Sequence, residues 1–257
     1  MLPLMKIYRM RIDPQSVLTP AMITQYGFTE GVDQDDAHQQ VPKILHRMWK
    51  NDDLNSMPKP WRKAFKTCAR VHKDWKVKLW TDSLLEDFIR SQYPWFFDTY
   101  ASYEHNIQRV DAARYFILYH YGGVYLDLDI DCKRSMEPIR KAMYATGKSV
   151  LIPVTTPIGF SNDLMFGVRG APFFNILIRS LSEYKRSYGS PYLTVMYSTG
   201  PIFLSSVFDN LLQSAKEEIG VLPPELYSSN GQVPFKFFRH MKGRSWHGMV
   251  RYQYTSR

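Results

Sequence analysis

An acidic run that follows a Gly-Gly pair is the part of this sequence best suited to chemistry. Within residues 122–131, Asp127, Asp129 and Asp131 alternate with apolar residues, and Tyr125 shares their phase. On a β-strand such residues share one face and lie roughly 6–7 Å apart, so the carboxylates would repel one another. Because carboxylate oxygens suit Mg²⁺ and Mn²⁺, the pattern predicts a bound divalent cation. A solvated acidic strand end is the alternative, and the like-charge cost weighs against it.

The residues just before this run predict a helix that carries a second charged pair. Residues 105–121 have the apolar spacing of a helix, and Gly122 and Gly123 then end it. Asp111 and Arg114 are three positions apart, so they share a face of that helix. They either face a ligand or form an ordinary surface ion pair, which would contribute little to stability.

Upstream of this block, predicted strands and helices alternate. We predict strands at residues 43–49 and 75–80 and helices at residues 58–72 and 83–89, the second helix starting after an N-cap at Thr81-Asp82. This alternation predicts an α/β fold with a parallel sheet, in which ligands bind beyond the carboxyl ends of the strands. Trp49 and the aspartates lie at such ends.

Downstream, the chain continues in the same style. We predict helices at residues 138–144 and 172–188 and from Pro201, strands at residues 149–154 and 164–168, and a polar loop at residues 159–163. Residues 1–40 are polar and are expected to form an irregular N-terminal leader, whereas residues 41–257 form one catalytic domain. His46 and His120 are expected to be packing residues, and His72 and His105 to be exposed.

The composition limits the classes of protein to which the chain can belong. Its 257 residues are 44% hydrophobic, enough for a large core, and its net charge of +9 predicts an anionic partner such as a nucleotide, a lipid head group or nucleic acid. Its two cysteines, Cys68 and Cys132, exclude a disulfide framework and a cysteine-type zinc site. We expect two buried thiols, with a single disulfide as the alternative. The sequence contains no run of about 18 apolar residues, so it predicts no membrane span, and we expect no signal peptide.

With these motifs in place, the chain resembles the fungal inositol phosphorylceramide mannosyltransferases, which are Asp-x-Asp sugar transferases of the GT-A fold. The matching segments are residues 41–46, 79–82, 93–96, 109–118, 120–129, 159–163, 198–201 and 245–247. The long central block is specific, whereas an Asp-x-Asp pair alone would be weak.

The resemblance implies a fold, a reaction and a setting. The fold would be a GT-A-type, Rossmann-like nucleotide-sugar-binding domain whose mostly parallel sheet is flanked by helices. The reaction would be a retaining transfer of mannose from GDP-mannose to inositol phosphorylceramide, with Mn²⁺ or Mg²⁺ as cofactor. The setting would be the Golgi lumen at a membrane surface. A small regulatory membrane subunit would be a partner, and nucleic acid would not.

The resemblance also implies roles for residues at matching positions. Asp111, Arg114, Asp127 and Asp129 would be catalytic, and Asp111 and Arg114 would hold the sugar. Metal ligands would be Asp127, Asp129 and His247, with His240 as a rival to His247. Besides Asp111, Arg114 and Asp127, the donor-binding residues would be Trp49, Arg109, Tyr125, Asn162, Asp163, Gly200, Ser245 and Trp246.

Three other functions compete with this interpretation. A phosphohydrolase with an Asp nucleophile would favour Thr or Val at the position of Asp131. A basic module that binds nucleic acid or lipid would suit the composition of residues 235–244, but the positive charge is spread along the whole chain. The serious alternative is a transferase of the same fold that uses another nucleotide sugar or glycan acceptor.

Overall fold

The computed structural model describes residues 12–27, 39–155, 159–227 and 236–241. The strands are β1 (Ile44–Met48), β2 (Lys76–Trp80), β3 (Gly123–Leu126), β4 (Ile130–Cys132), β5 (Val150–Pro153), β6 (Leu164–Gly167), β7 (Ile219–Leu222) and β8 (Phe238–His240). The helices are α1 (Pro20–Gly27), α2 (Lys59–Val71), α3 (Asp82–Gln92), α4 (Pro94–Ala101), α5 (Asn106–Tyr121), α6 (Glu137–Ala145), α7 (Pro172–Tyr184), α8 (Pro191–Ser198), α9 (Pro201–Asp209), α10 (Gln213–Glu217) and α11 (Pro224–Tyr227).

One six-stranded sheet forms the centre of the fold, with the strand order β2–β1–β3–β6–β5–β7. Strands β1, β2 and β3 are parallel, β6 is antiparallel to both of its neighbours, and β5 and β7 are parallel to each other. Strands β4 and β8 form a separate antiparallel pair. The predicted α/β fold with a mostly parallel sheet is therefore confirmed.

Local signals account for the elements on the β1–β2 side of the sheet. The Thr81 hydroxyl accepts a hydrogen bond from the Leu84 amide at 3.2 Å, so the predicted N-cap of α3 is confirmed. Helix α5 is confirmed as well, and it lies at the centre of the helical packing, in contact with α3, α4, α7 and α8. Helix α8 was not predicted.

The turn between α5 and β3 is held by a buried network. Gly122 and Gly123 have φ values of 63° and 97°, which an L side chain adopts only with strain. Trp80 Nε1 donates to His46 Nδ1 at 3.1 Å, and His46 Nε2 therefore carries the proton that it donates to the Gly122 carbonyl at 2.9 Å. Burial lowers the pKa of His46 to about 4, so this imidazole is neutral. As predicted, His46 is a packing residue.

The acidic run is not one continuous strand, which corrects the predicted alternation. Strand β3 ends at Leu126 and β4 begins at Ile130, because the Ile130 amide turns back to the Asp127 carbonyl at 3.0 Å. The break separates Asp131 from the first two aspartates and avoids three like charges on one strand face.

The cysteine and His72 expectations were wrong. Cys68 of α2 and Cys132 of β4 form a disulfide across 64 positions of sequence. His72 is buried rather than exposed. Its Nε2 accepts from the Met136 amide at 2.8 Å, and its Nδ1 donates to the Cys68 carbonyl at 2.8 Å. These contacts hold α2 against the chain that follows β4.

The described part of the expected irregular leader is ordered. A short 3₁₀ turn (Pro14–Ser16) precedes α1, which packs against α6, and Leu18 and Ile23 are buried in the core. Residues 14–27 therefore belong to the packed fold. Within the part of the chain that the structure describes, we find no helix with the length and apolar character that a bilayer span requires.

Replacing Gly123 with alanine should lower the free energy of unfolding by about 2 kcal/mol or more. The residue keeps a φ of 97°, and an added Cβ would lie 2.6 Å from the Ile44 carbonyl oxygen. Urea denaturation measures the loss. Gly170→Ala is the matched control, since Gly170 has a φ of 77° but no heavy atom within 4 Å of the added Cβ. Equal losses for the two variants would contradict the role of the close approach.

Candidate active site

The carboxyl ends of β1, β2 and β3 open onto a cavity of about 440 Å³. Such an edge of a parallel sheet is where α/β proteins bind ligands. The sequence-predicted residues that line this cavity are Trp49, Asp111, Arg114, Tyr125, Asp127, Asp129, Asn162 and Asp163. The fold thus brings together residues from both halves of the described chain.

Arg114 lies between two carboxylates at the back of the cavity. Its Nη1 is 3.1 Å from Asp111 Oδ1, and its Nη2 is 3.1 Å from Asp127 Oδ1. Nη1 also donates to the Asn162 carbonyl at 3.0 Å. Because Arg114 and Asp111 are each only 4% exposed, the interpretation as a surface ion pair is wrong. Removing one partner of such a buried pair is typically very destabilising.

Burial controls the protonation of this pair. It raises the pKa of Asp111 to about 7, against the opposing effect of Arg114. Burial lowers the pKa of Arg114, but Asp127, Tyr125 and Asp111 raise it more, so the guanidinium stays charged. The pKa of Asp111 is thus raised by burial and held down by the permanent cation beside it.

Tyr125 holds the first aspartate of the motif. Its hydroxyl donates a short hydrogen bond to Asp127 Oδ1, and the Arg114 guanidinium carbon lies 4.7 Å from the centre of its ring. Burial raises the pKa of Tyr125 well above its usual range, so the phenol remains a donor. The Asp127 amide also donates to the Asp163 carbonyl at 2.8 Å, which places the two acidic residues side by side.

A second layer of polar groups surrounds Asp111. The Thr199 hydroxyl donates to Asp111 Oδ2 at 3.5 Å, and the Tyr115 hydroxyl donates to the Thr199 carbonyl at 2.7 Å. Asn162 Nδ2 donates to the Tyr115 hydroxyl at 3.3 Å. Gly200 follows Thr199 as the N-cap of α9 and precedes Pro201, which lines the cavity.

The carboxylates at the mouth of the cavity are crowded. Burial, together with like-charge repulsion from Asp127 and Asp163, raises the pKa of Asp129 to about 7. Burial also raises the pKa of Asp127, with Asp163 adding to the shift and Arg114 opposing it. Among the described residues, Asp129 forms no ion pair. The site therefore carries more negative charge than Arg114 alone neutralises.

Asp127 and Asp129 fit a divalent cation, since such an ion would relieve this repulsion with the oxygen ligands that it prefers. Within the described ranges, no group of three His, Cys, Asp or Glu side chains is placed to hold a metal ion. Further ligands would have to come from the donor or from residues outside those ranges. His247, like Ser245 and Trp246, lies outside the described residues.

His240, the rival of His247, uses one ring nitrogen in a hydrogen bond within the protein, and its metal role stays a prediction. Its Nε2 lies 3.1 Å from the Tyr227 carbonyl, to which it donates. The Met241 amide donates to the Asp129 carbonyl at 2.8 Å, so the chain leaves β8 beside the acidic turn. The predicted contact of the tail with the diphosphate stays a prediction.

Two further charged candidates from the sequence, Arg109 and Asp131, lie outside the cavity lining. Arg109 donates to the Tyr103 carbonyl at 2.9 Å and does not appear among the described residues that line the cavity. Asp131 faces a different concavity, where its Oδ2 is 2.8 Å from Arg239 and 3.3 Å from Lys133.

Trp49 lies at the rim of the cavity with one edge fixed. Its Nε1 donates to the Ser56 hydroxyl at 2.7 Å, and its ring meets Trp61 edge-on at 5.8 Å between centroids. Stacking of the Trp49 ring on a nucleotide base stays a prediction.

Sequence reasoning missed several residues of the cavity wall and its support. Lys50 and Asp82 line the cavity and come directly after Trp49 and Thr81, the N-cap of α3, so the strand-end rule that selected Trp49 could have found them. Tyr227 donates to both Asp163 oxygens at 2.7 and 2.6 Å, and nothing in the local sequence signals this contact.

Replacing Asp129 with asparagine in metal-free buffer should stabilise the fold at about pH 8, by about 1 kcal/mol or more. The folded-state pKa of about 7 lies above the ordinary value of 3.8. Ionisation of Asp129 therefore opposes folding as pH rises through this interval, and asparagine avoids that penalty. Urea denaturation at about pH 8 and about pH 4 should show that the difference in unfolding free energy between the variant and the wild type shrinks in acid.

Asp52→Asn serves as the control for this measurement, because Asp52 is an exposed aspartate outside the cavity lining. If Asp129→Asn gains no unfolding free energy over the wild type at about pH 8, or if Asp52→Asn gains as much, the crowding of carboxylates around Asp129 is contradicted.

Comparison with known proteins agrees with this geometry. The family described as "Glycosyltransferase sugar-binding region containing DXD motif" matches residues 58–145. The chain is 42% identical over 214 residues to inositol phosphoceramide mannosyltransferase 1 of Schizosaccharomyces pombe, covering 82% of this chain and 63% of that protein. It is 40% identical over 213 residues to mannosyl phosphorylinositol ceramide synthase CSH1 of Saccharomyces cerevisiae, covering 81% and 54%. The chain thus spans between about half and two thirds of the length of these relatives.

A solved structure supports the fold. The PaToxG glycosyltransferase superimposes with a TM-score of 0.51 at 13% identity, over 73% of this chain and 72% of that one. The predicted GT-A fold is confirmed, and the assignment of Asp127 and Asp129 as the DXD pair stays a prediction. The chain therefore carries a match to the DXD glycosyltransferase sugar-binding region over residues 58–145, and over about four fifths of its length it is similar to the fungal inositol phosphoceramide mannosyltransferases.

Proposed function

We propose that the chain transfers mannose from GDP-mannose to inositol phosphoceramide with retention of configuration, using Mn²⁺ or Mg²⁺. The observation that carries this proposal is the buried Asp111–Arg114–Asp127 arrangement, with Asp129 beside it at the strand ends. The names of the homologues support the mannosyl transfer and the sphingolipid acceptor.

The electrostatics of the cavity suit the departure of a nucleoside diphosphate. As the glycosidic bond breaks, the diphosphate gains negative charge, and a divalent ion held by Asp127 and Asp129 would offset it as a Lewis acid. Tyr125 and Arg114 hold the Asp127 carboxylate in one orientation, so that the ligand oxygen is positioned before the donor arrives.

Arg114 acts mainly as a positioning group in this proposal. Three of its five N–H groups are engaged by Asp111, Asp127 and the Asn162 carbonyl, so most of the guanidinium holds the site rather than the sugar. Asp111 is the better candidate to accept a sugar hydroxyl, since it lines the cavity and is held by Arg114 and Thr199. Asn162 and Asp163 border the acceptor side.

The other end of the cavity has groups that suit guanine. Trp49 and Trp61 offer aromatic surface there, and the Asp82 amide lies 3.5 Å from the Lys50 carbonyl, which brings Asp82 next to the rim. A carboxylate can accept two parallel hydrogen bonds from the guanine N1–H and N2–H donors, whereas uracil offers a single N–H donor.

We also propose that the enzyme works in the Golgi lumen at the membrane, with a small membrane subunit as regulator. The Cys68–Cys132 disulfide supports the compartment, because such bonds persist in oxidising environments along the secretory route.

Asp129→Asn should abolish transfer, with a loss of at least ~100-fold, while the protein stays folded. Transfer of labelled mannose to the lipid measures activity, and circular dichroism checks the fold. Asp131→Asn is the matched control, since that carboxylate lies two positions on and faces another concavity. Full activity of Asp129→Asn, undiminished turnover in EDTA, or equal loss in both variants would refute the metal role.

Calorimetry should show GDP-mannose binding that strengthens with Mn²⁺ and exceeds the binding of UDP-glucose and UDP-galactose. Asp82→Asn should weaken GDP-mannose binding by about tenfold, because one paired acceptor becomes a donor. Asp52→Asn should leave it unchanged. A preference for a uridine nucleotide would instead support the alternative function, a transferase of the same fold with another donor.

A further inference from the structure

Helix α2 carries a continuous cationic face. Its members are Lys59, Lys63, Lys66 and Arg70. At 3.6 residues per turn these four positions fall within an arc of about 60° and extend over about 16 Å. All four side chains are exposed, whereas Ala64 and Cys68 on the opposite side are buried.

Nothing among the described residues neutralises this face. The α2 sequence contains no acidic residue, and none of its four exposed cations takes part in an ion pair with another described residue. A row of unpaired like charges on one helix face repels itself, and an anionic partner would remove that repulsion.

The neighbouring strands extend the charge. A concavity of about 300 Å³ is lined by Lys59 and Lys63 of α2 and by Arg239 of β8, with Asp131 at its base. Asp131 Oδ2 is shared between Arg239 at 2.8 Å and Lys133 at 3.3 Å. Asp131 is the single carboxylate in that lining, so positive charge remains in excess. We call the surface formed by Lys59, Lys63, Lys66, Arg70, Lys133 and Arg239 the α2 face.

The α2 face is preformed. The Cys68–Cys132 disulfide joins α2 to β4, and β8 pairs with β4 through Ile130, Asp131 and Cys132. Cations from three elements are therefore held in one arrangement before any partner binds, which lowers the entropic cost of binding.

The same helix borders the active site. Trp61 of α2 lines the catalytic cavity and contacts Trp49 at its rim. Trp61 lies on the opposite side of α2 from Lys63 and Lys66, so the helix itself separates the cationic face from the cavity.

We propose that the α2 face binds the head groups of an anionic lipid bilayer. Charge complementarity supports this partner, since each Lys or Arg near an anionic leaflet strengthens binding by about fivefold. The choice of a bilayer over nucleic acid rests on the proposed lipid acceptor. It also agrees with the composition of the α2 face, which has no aromatic side chain on which a base could stack.

The test uses the whole chain without donor or metal, cosedimented with vesicles of phosphatidylcholine alone or mixed in equal parts with phosphatidylserine. The wild type should bind the anionic vesicles selectively, and added salt should release it. Replacing Lys63, Lys66 and Arg70 together with glutamine should weaken this binding by roughly a hundredfold.

The matched control removes the same charge at another place. The control variant combines Arg179→Gln, Lys185→Gln and Arg186→Gln. Arg179 lies within α7, and Lys185 and Arg186 follow that helix, whereas α2 makes its main contacts with β4. This variant should bind vesicles nearly as the wild type does. Equal losses in both triple variants, or wild-type binding that ignores lipid charge, would overturn the proposal.

Two further measurements separate this proposal from its alternatives. Selective binding to duplex DNA that depends on the α2 cations, without vesicle binding, would assign the face to nucleic acid and overturn the lipid proposal. The α2 variant should still transfer mannose to acceptor dispersed in detergent. If the wild type transfers none, the proposed function fails, but the vesicle experiment still decides whether the α2 face binds lipid.

Discussion

A guanidinium buried between two carboxylates is the interaction on which the active site depends. Arg114 is 4% exposed and lies 3.1 Å from both Asp111 and Asp127. Taking such charges out of water is costly, and only close pairing compensates for it. Helix α5 therefore has to stay in register with the end of β3. The orientation of the first DXD aspartate is consequently set by a helix that precedes it in the chain.

The site nevertheless keeps an excess of negative charge. Asp129 forms no ion pair with any described residue, and Asp127 and Asp163 stand beside it, so burial and repulsion raise its pKa to about 7. A fold selected for stability alone would not retain such a group. A ligand that brings positive charge would turn this unfavourable feature into affinity, which is the physical argument for the proposed metal-assisted reaction.

Much of the local structure could be predicted because its causes lie close together in sequence. The N-cap at Thr81, the helix around Asp111 and Arg114, and the glycine turn at Gly122 and Gly123 each follow from side-chain chemistry within a few positions. The same holds for the shared face of Asp111 and Arg114, because helical spacing alone puts them together. Comparison with known proteins then added the similarity to DXD glycosyltransferases.

The sequence by itself determined the α/β elements, the paired charges on α5 and the acidic motif at a strand end. Only the tertiary structure decided that the acidic run breaks after Leu126, that Asp131 turns away and that Cys68 bonds to Cys132. The reason is that these outcomes depend on partners far along the chain. The Asp127 amide bonds to Asp163, and Tyr227 holds the Asp163 carboxylate. A period of two in the sequence registers neither these long-range hydrogen bonds nor the turn from Asp127 to Ile130 that ends the strand and separates its like charges.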